Sequence, residues 1–345
     1  MFLNHLKELC CLNGVSGDEG AVRDYITEKI KDYADNITID TMGNIIAFKK
    51  GASPDGKKVM VCAHMDEVGF IVSDITEEGF VKFKEVGGFD ERILLTQKVV
   101  INSSKGDVKG VIGIKAVHLM SRDERSKVVP VDSMYIDIGA SSREDALKYV
   151  AKGDYIAFDS AYRELGGGCI KAKALDDRLG CAIMLDLIKN TYESDVYFCF
   201  TVQEETGLRG ARVVASRINA DVAIVLESTT AADVPHTDDY MKCTVQGNGP
   251  ALSIMDRASY SNKELNSFVC RIADEDKIKY QFKQSAMGGN DAGAIQTAAN
   301  AVRTCVVSIP CRYIHSPVST MRKSDAEGMY ALVDGVLKKI KDFEI

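Results

Sequence analysis

The chain has 345 residues, a formal net charge of −7 and a sequence pI of about 5.4. Its 46% hydrophobic and 27% charged residues are typical of a globular protein with one large domain or two domains of ordinary size. The acidic balance disfavours nucleic acid and anionic membranes as partners, because both attract basic surfaces. No apolar run approaches the ~20 residues of a membrane helix, and we expect neither a membrane span nor a signal peptide.

Ten cysteines are scattered along the chain, mostly within apolar runs such as residues 59–63 and 196–202. Disulfide-stabilised scaffolds are short and loop-rich, and this chain is neither. The pattern therefore predicts reduced, buried thiols in a cytoplasmic protein. The absence of a Cys-x-x-Cys pair from the sequence disfavours a cysteine-bound metal.

The N-terminal part of the chain is predicted to form a helix followed by three strands. Ser16 and Glu19 have the spacing of a capping box, and apolar residues then recur at helical intervals. The strand-like segments are residues 37–40, 44–49 and 58–63. The last segment is continuously apolar, as expected for a strand that is covered on both faces.

Residues 69–159 differ from the rest, because short strand-like segments there alternate with Gly, Asp and Ser turns. These segments are residues 70–73, 80–85, 98–101, 108–114, 133–138 and 155–158. Such spacing predicts a small β-barrel or sandwich, with one helix at residues 142–150. We expect residues 69–159 to be a β-barrel domain inserted into an α/β domain made of residues 1–68 and 160–345.

After residue 160, helices and strands alternate again. The predicted helices are residues 178–189, 208–218, 261–273 and 291–298, and a C-terminal helix that starts with a capping box at Ser324 and Glu327. The predicted strands are residues 196–202, 222–226, 279–284 and 303–309. This alternation predicts an α/β fold, with a mostly parallel sheet covered by helices on both faces.

Acids and histidines follow the predicted strands at the points where the strands end. They are His64, Glu204, Glu205, Glu227 and His315, and Asp176 precedes a predicted helix. In open α/β sheets, ligands bind at the carboxyl ends of the strands, so these side chains are expected to converge there. Converging carboxylates repel one another, and a bound cation relieves that repulsion.

Each of these residues also has an ordinary structural explanation. Glu204 and Glu205 could lie in a solvated turn, and Asp176 could cap a helix. Their joint placement favours a metal centre. Imidazole and carboxylate without thiolate suit Zn²⁺, and Co²⁺ or Mn²⁺ could also bind. A bridging carboxylate would let two histidines serve two ions about 3.5–4 Å apart.

Four other residues are expected to have secondary roles. Arg178 and Arg312 are expected to pair with the carboxylates of the site. Asp291 could line a substrate pocket or cap a helix. His236 could border the cleft or lie in a loop.

Five sequence blocks resemble the signature of the tetrahedral aminopeptidases of metallopeptidase family forty-two, which include glutamyl and deblocking aminopeptidases. The blocks are AHMDEVG at 63–69, ALDDR at 174–178, VQEETGLRG at 202–210, GGNDAG at 288–293 and RYIHS at 312–316. The resemblance extends from the first helix to the last. It implies the dinuclear zinc exopeptidase fold and an enzyme that removes N-terminal residues from peptides.

The resemblance also implies a ligand set. Asp176 would bridge two divalent metals, His64 and Glu227 would complete one site, and Glu205 and His315 would complete the other. Many relatives carry Asp where this chain has Glu227.

Two further roles follow from the resemblance. Glu204 would be the general base for a water activated by the two metals. Asp66 would hydrogen-bond His64 from behind and set its tautomer.

Members of this family typically form dimers that build into hollow tetrahedral dodecamers, with the inserted domain in many contacts. The resemblance thus implies a homo-oligomer, a dodecamer built from dimers. Relatives prefer acidic, basic or apolar N-terminal residues, so the preference of this chain stays open.

Two rival functions fit the sequence less well. Some members of the family are labelled endoglucanases, but a glycoside hydrolase needs no metal and usually displays aromatic platforms, and the chain has no Trp. A metal-binding scaffold without activity would not need Glu204 or Asp66.

Overall fold

The computed structural model describes residues 2–284, 286–298 and 301–344. The helices are α1 (Phe2–Leu9), α2 (Gly20–Ile30), α3 (Arg122–Ser126), α4 (Arg143–Ala146), α5 (Leu175–Leu187), α6 (Arg209–Arg217), α7 (Lys263–Glu275), α8 (Ala292–Gln296) and α9 (Lys323–Lys339). The strands are β1 (Asn36–Ile39), β2 (Ile45–Lys49), β3 (Lys58–His64), β4 (Gly69–Ile75), β5 (Val81–Val86), β6 (Lys98–Ser103), β7 (Gly106–Ile112), β8 (Ile136–Asp137), β9 (Tyr155–Phe158), β10 (Arg163–Leu165), β11 (Cys169–Ala172), β12 (Asp195–Thr201), β13 (Val222–Thr230), β14 (Ala251–Leu252), β15 (Gln281–Phe282), β16 (Arg303–Cys311) and β17 (Ser319–Arg322).

A central sheet of eight strands has the order β1-β2-β12-β3-β13-β16-β14-β15. Its middle strands are parallel, since β3 pairs in parallel with β12 and β13, and β13 pairs in parallel with β16. The β1–β2 hairpin joins one side of this group in antiparallel fashion, and β14 joins the other side likewise. Parallel pairing makes the carboxyl ends of the four middle strands coincide at one edge.

The sheet is covered by helices on both faces. Along β3, Val59, Val61 and Ala63 are buried in a core shared with α1, α2, α5, α7 and α9. Met60 and Cys62 point to the opposite core, which α6 and α8 complete. The alternation of side chains along a strand explains why β3 is apolar throughout. The predicted fold class is confirmed.

Strands β4 to β9 form a closed barrel in the order β4-β5-β8-β7-β6-β9. Phe70 lies at its centre and makes edge-to-face contacts with Phe83, Phe89 and Phe158, at ring-centroid distances of 4.9, 4.9 and 5.3 Å. Such pairs add to the free energy gained from burial alone. Of the two predicted architectures, a barrel or a sandwich, the structure has the closed barrel.

A three-stranded sheet, β10-β11-β17, was not predicted from the sequence. Its strands β11 and β17 pair in antiparallel register, with Ile170 opposite Met321. The two strands are short and lie far apart in the chain, so neither shows an alternating pattern long enough to be recognised.

Both predicted capping boxes are wrong. The hydroxyl of Ser16 donates to Asp66 instead of accepting a backbone N–H at the start of a helix, and α2 begins at Gly20 without a side-chain cap. Ser324 lies inside α9, for which Arg322 is the N-cap residue. In contrast, the helix predicted at residues 142–150 has a side-chain cap, because the Ser142 hydroxyl accepts a hydrogen bond from the Asp145 backbone N–H at the start of α4.

All ten cysteines are free, and eight of them are buried. Within the part of the chain that the structure describes, every helix is too short or too polar to cross a bilayer.

We predict that Phe70→Ala destabilises the protein by about 3–5 kcal/mol, because the change leaves a cavity among three other rings. Urea-induced unfolding followed by circular dichroism measures this loss. The matched control is Tyr149→Ala, at a residue that is 49% exposed, which should change stability by less than about 0.5 kcal/mol. Equal losses for the two variants would contradict the assignment of Phe70 to the barrel core.

Candidate metal centre

Five side chains meet at the carboxyl edge of the central sheet. His64 ends β3, Glu205 follows β12, and Glu227 lies within β13, which continues to Thr230 rather than ending at residue 226 as predicted. Asp176 lies in the first turn of α5, and His315 follows β16. Adjacent parallel strands thus bring together residues that are far apart in the sequence.

Asp176 lies between the two imidazoles. His64 Nε2 is 3.3 Å from Asp176 Oδ1, and His315 Nε2 is 3.1 Å from Asp176 Oδ2. His64 Nε2 is also 3.5 Å from Glu227 Oε1, and His315 Nε2 is 3.5 Å from Glu205 Oε1. Two groups of possible metal ligands therefore share Asp176, and the atoms within each group lie within 4.8 Å of one another.

The other ring nitrogens define the tautomer of each histidine. His64 Nδ1 is 3.1 Å from the Asp66 carbonyl oxygen, and His315 Nδ1 is 2.7 Å from the Gly88 carbonyl oxygen. A carbonyl oxygen only accepts, so Nδ1 carries the proton in both rings. In the neutral ring, Nε2 is then an acceptor that faces carboxylate oxygens, which are also acceptors. A cation between Nε2 and the carboxylate oxygens fits this donor set. Gly88 lies just after barrel strand β5, so its hydrogen bond with His315 joins the barrel to the site.

Asp66 is fully buried and holds the loop that follows β12. Its Oδ1 accepts the Glu204 N–H at 3.0 Å, and its Oδ2 accepts the Glu205 N–H at 3.1 Å and the Ser16 hydroxyl. Its carboxylate lies 3.4 Å from His64 Nδ1, whose hydrogen bond goes to the Asp66 backbone instead. Asp66 therefore orients His64 chiefly through its carbonyl group, and its carboxylate positions Glu204 and Glu205.

The electrostatics of the site disfavour leaving its carboxylates unpaired. Burial raises the pKa of Glu204 and of Glu227 well above the ordinary value for Glu, and it raises the pKa of Glu205 to about 7. Burial would also raise the pKa of Asp176, but hydrogen bonds from His315 and His64, in their protonated form when no cation is bound, hold that pKa below its ordinary value. A divalent cation would stabilise the ionised form of all four groups.

Backbone strain is concentrated around the site. Left-handed φ angles occur at the candidate ligand His315 (56°) and at three residues within two positions of a candidate ligand, namely Ala174 (52°), Gln203 (55°) and Tyr313 (57°). Non-glycine residues rarely adopt this region, and such strain is typical of functional sites. The turns that present Asp176, Glu205 and His315 are thus held by the surrounding structure rather than by local preference.

The predicted roles of the two arginines are wrong. Arg178 is fully buried, donates to the backbone oxygens of Met65 and Leu9 at 2.7 and 2.8 Å, and lies 3.4 Å from Glu67 Oε1. Arg312 pairs with Asp233 through two hydrogen bonds, at 2.7 and 2.8 Å. Neither guanidinium reaches the carboxylates of the site, because closer acceptors occupy it.

Sequence reasoning missed a buried ion cluster beside the centre. Lys173 Nζ lies 2.6 Å from Glu67 Oε1, and Arg178 contacts the same oxygen, with all three side chains buried. The motif AHMDEVG contains Glu67, but its partners are more than 100 residues away in the sequence. Only the fold brings them together.

The remaining candidates lie outside the centre. Asp291 is buried, and its carboxylate accepts a hydrogen bond from the Thr201 hydroxyl at 2.6 Å. Its side chain does not line the cavity, and it makes no capping hydrogen bond to α8. His236 is exposed and does not line the cavity.

A cavity of about 660 Å³ opens over the centre. Asp176, Glu204, Glu205, Glu227 and His315 form part of its wall. The described residues of the wall include no Phe, Tyr or Trp. Lys283 is the single Lys or Arg among them. The size suits a short peptide segment.

Residues 43–332 match the M42 glutamyl aminopeptidase family. The chain is 34% identical over 347 residues to the lysyl aminopeptidase of Pyrococcus furiosus, an alignment that covers 98% of this chain and 97% of that protein. The TET1 peptidase of Pyrococcus horikoshii, which can assemble into a tetrahedron or a large octahedral shell, superposes with a TM-score of 0.88 at 33% identity and 98% and 99% coverage of the two chains. A Thermotoga maritima structure described as an endoglucanase superposes with a TM-score of 0.81 at 38% identity, with 97% coverage of each chain.

The family match covers most of this chain, and the alignments with the relatives cover nearly the whole length of both proteins. The resemblance seen in the sequence blocks is therefore confirmed. This chain belongs to the M42 aminopeptidase family, whose members are hydrolases that act on peptides.

Proposed function

We propose that this chain removes N-terminal residues from peptides with the help of two divalent metal ions. His64 and Glu227 would bind one ion, Glu205 and His315 would bind the other, and Asp176 would bridge them. The observation that carries this proposal is the position of Asp176, whose two oxygens face two different imidazoles. A shared carboxylate allows two ions to lie close together with few ligands.

The ligands favour Zn²⁺ and are also suitable for Co²⁺ or Mn²⁺, because imidazole and carboxylate groups are present without thiolate. When bound, such ions would acidify a water molecule and polarise the scissile carbonyl group.

Glu204 is the proposed general base. It lines the cavity, and one of its oxygens lies within 4.8 Å of ligand atoms of His64 and Glu205. The hydrogen bond from its N–H to Asp66 orients it beside the ligands. Glu204 would accept a proton from the attacking water and then deliver it to the leaving amine.

We further propose that residues 69–159 act as an assembly domain in a dodecamer built from dimers. The assembly of the TET1 peptidase supports this, as do exposed apolar side chains in this segment, such as Val117, Leu119 and Val128. The free cysteines support a reducing, cytoplasmic location.

The glycoside hydrolase alternative is supported by the descriptions of two structural neighbours, one of which also names a peptidase. Sugar-binding clefts usually offer aromatic platforms, and the described residues of this cavity wall provide none. The contacts of Asp176 with two imidazoles suit a metal centre better than a pair of carboxyl groups flanking a sugar bond.

We expect a chelator to abolish hydrolysis of aminoacyl-anilides, and Zn²⁺, Co²⁺ or Mn²⁺ to restore it. Metal analysis should find two ions per wild-type chain. Asp176→Asn should reduce the occupancy of both sites, since both lose the same bridging charge, whereas Asp55→Asn, at an exposed turn, should not. One ion per chain, or cellulose hydrolysis that resists chelation, would contradict the proposal.

Glu204→Gln should lower kcat by at least about 100-fold, because general acid–base catalysis usually contributes a rate factor of at least this size. Its metal content and circular dichroism spectrum should stay unchanged, because the amide keeps the shape of the side chain and the backbone hydrogen bond to Asp66. Glu264→Gln, at an exposed position in the first turn of α7, is the matched control. Turnover close to that of the wild type would exclude Glu204 as the base.

Light scattering should give a particle mass near twelve times 37.7 kDa. A particle that stays monomeric at all protein concentrations would refute the proposed assembly.

A further inference from the structure

We infer that the barrel turn at residues 87–88 positions the second of the two proposed metal sites and not the first. The first site consists of His64 and Glu227, and the second site consists of Glu205 and His315. The inference rests on the proposed function, because it concerns the same metal centre. It assigns a role to a part of the chain that supplies no proposed ligand.

The two imidazoles of the centre are held by different parts of the chain. His64 Nδ1 lies 3.1 Å from the carbonyl oxygen of Asp66, within the same short segment. His315 Nδ1 donates to the carbonyl oxygen of Gly88 at 2.7 Å, across 227 positions of the sequence. A hydrogen bond at the far ring nitrogen fixes the orientation and tautomer of a metal-binding imidazole. The orientation of His315 therefore depends on where the barrel places Gly88.

The residue before Gly88 lies against the other ligand of the second site. Gly87 has a left-handed φ of 81°, which glycine adopts without strain. A Cβ atom at this position would lie 2.7 Å from Val68 Cγ1, 3.3 Å from Val68 Cβ and 3.4 Å from Glu205 Cβ. The first of these distances is too short for two carbon atoms, so an added methyl group would displace the turn or its neighbours. The missing side chain thus lets the barrel approach Val68 and Glu205 together.

Both ends of the turn are anchored in the barrel. Val86 ends β5 and pairs with Gly69 at the start of β4. Phe89 packs edge-to-face on Phe70, at a ring-centroid distance of 4.9 Å. Anchors on both sides leave the turn little freedom, and a ligand is best oriented by a partner that is itself fixed. The carbonyl oxygen of Gly88 is therefore presented to His315 from a rigid support.

The first site is built without the barrel. His64 ends β3 and Glu227 lies in β13, which are neighbouring strands of the central sheet. Among the described residues of the cavity wall, Gly88 is the one that lies between β4 and β9. Its hydrogen bond goes to His315 of the second site. A displaced turn should therefore weaken the second site selectively.

The experiment measures the Zn²⁺ affinity of each site separately, on the full-length metal-free protein, by competition with a chromogenic chelator. Glu227→Ala removes a ligand of the first site, and His315→Ala removes a ligand of the second site. Each of these backgrounds leaves one complete site to titrate. Gly87→Ala is then introduced into both backgrounds.

Gly87→Ala should weaken Zn²⁺ binding by about 10–100-fold in the Glu227→Ala background, because disturbing a group that orients a metal ligand typically has an effect of this size. In the His315→Ala background, the affinity should stay unchanged. Unchanged affinity there would also show that the fold around the centre is intact.

Gly139→Ala is the matched control. Gly139 follows barrel strand β8 and has nearly the same φ, 79°, but a Cβ atom there would meet no described residue within 4 Å apart from its neighbours in the chain. This variant should leave the Zn²⁺ affinity unchanged in both backgrounds. Phe89→Leu loosens an anchor of the turn without adding an atom beside Glu205, and it should weaken the second site alone.

Equal weakening of the two sites by Gly87→Ala, or no weakening of either, would overturn the inference. An equal loss of affinity in Gly139→Ala would also overturn it, because backbone strain in the barrel would then account for the effect.

Hydrolysis of aminoacyl-anilides tests the proposed function separately. If the wild type binds two ions, Gly87→Ala weakens only the second site and no anilide is hydrolysed, the inference stands and the proposed function fails. Hydrolysis by the wild type together with equal weakening of both sites would support the function and overturn the inference. One ion per wild-type chain would contradict both.

Discussion

The structure depends on how four acidic side chains share one end of a sheet. Asp176, Glu204, Glu205 and Glu227 line the same cavity, and burial raises the pKa of the three glutamates. Carboxylates that are removed from water and face each other are costly unless a cation lies among them. The two imidazoles offset part of the repulsion, and a cation bound beside Asp176 would offset the rest.

A short segment at the end of β3, residues 64–67, positions the side chains around that centre. His64 faces the carboxylates, Asp66 holds the backbone of the loop after β12, and Glu67 forms a buried cluster with Lys173 and Arg178. The same segment leads into the barrel strand β4. The positions of the proposed ligands, of the proposed general base and of the barrel are therefore coupled, since all three depend on four consecutive residues.

Much of the fold could be predicted from local patterns. The apolar run of β3, the hairpin of β1 and β2, the six short strands of the barrel and the apolar face of α9 follow from hydrophobic periodicity and turn residues. The prediction failed where a polar side chain has two possible partners. Ser16 could cap a helix by its spacing, yet Asp66 lies closer in the folded chain. Short strands such as β17 were missed because they pair only with distant segments.

By itself, the sequence indicated which acids and histidines lie near the carboxyl ends of the strands, because side-chain periodicity and turn chemistry are local. It placed the end of β13 at residue 226, and the strand continues to Thr230. The positions of those acids and histidines were enough to predict the edge of the sheet at which these residues converge. The tertiary structure decided which oxygen faces which imidazole, that Asp66 positions a loop, and that Lys283 faces the cavity. These outcomes depend on contacts between segments far apart in the chain, and a local sequence pattern does not encode which of these segments meet.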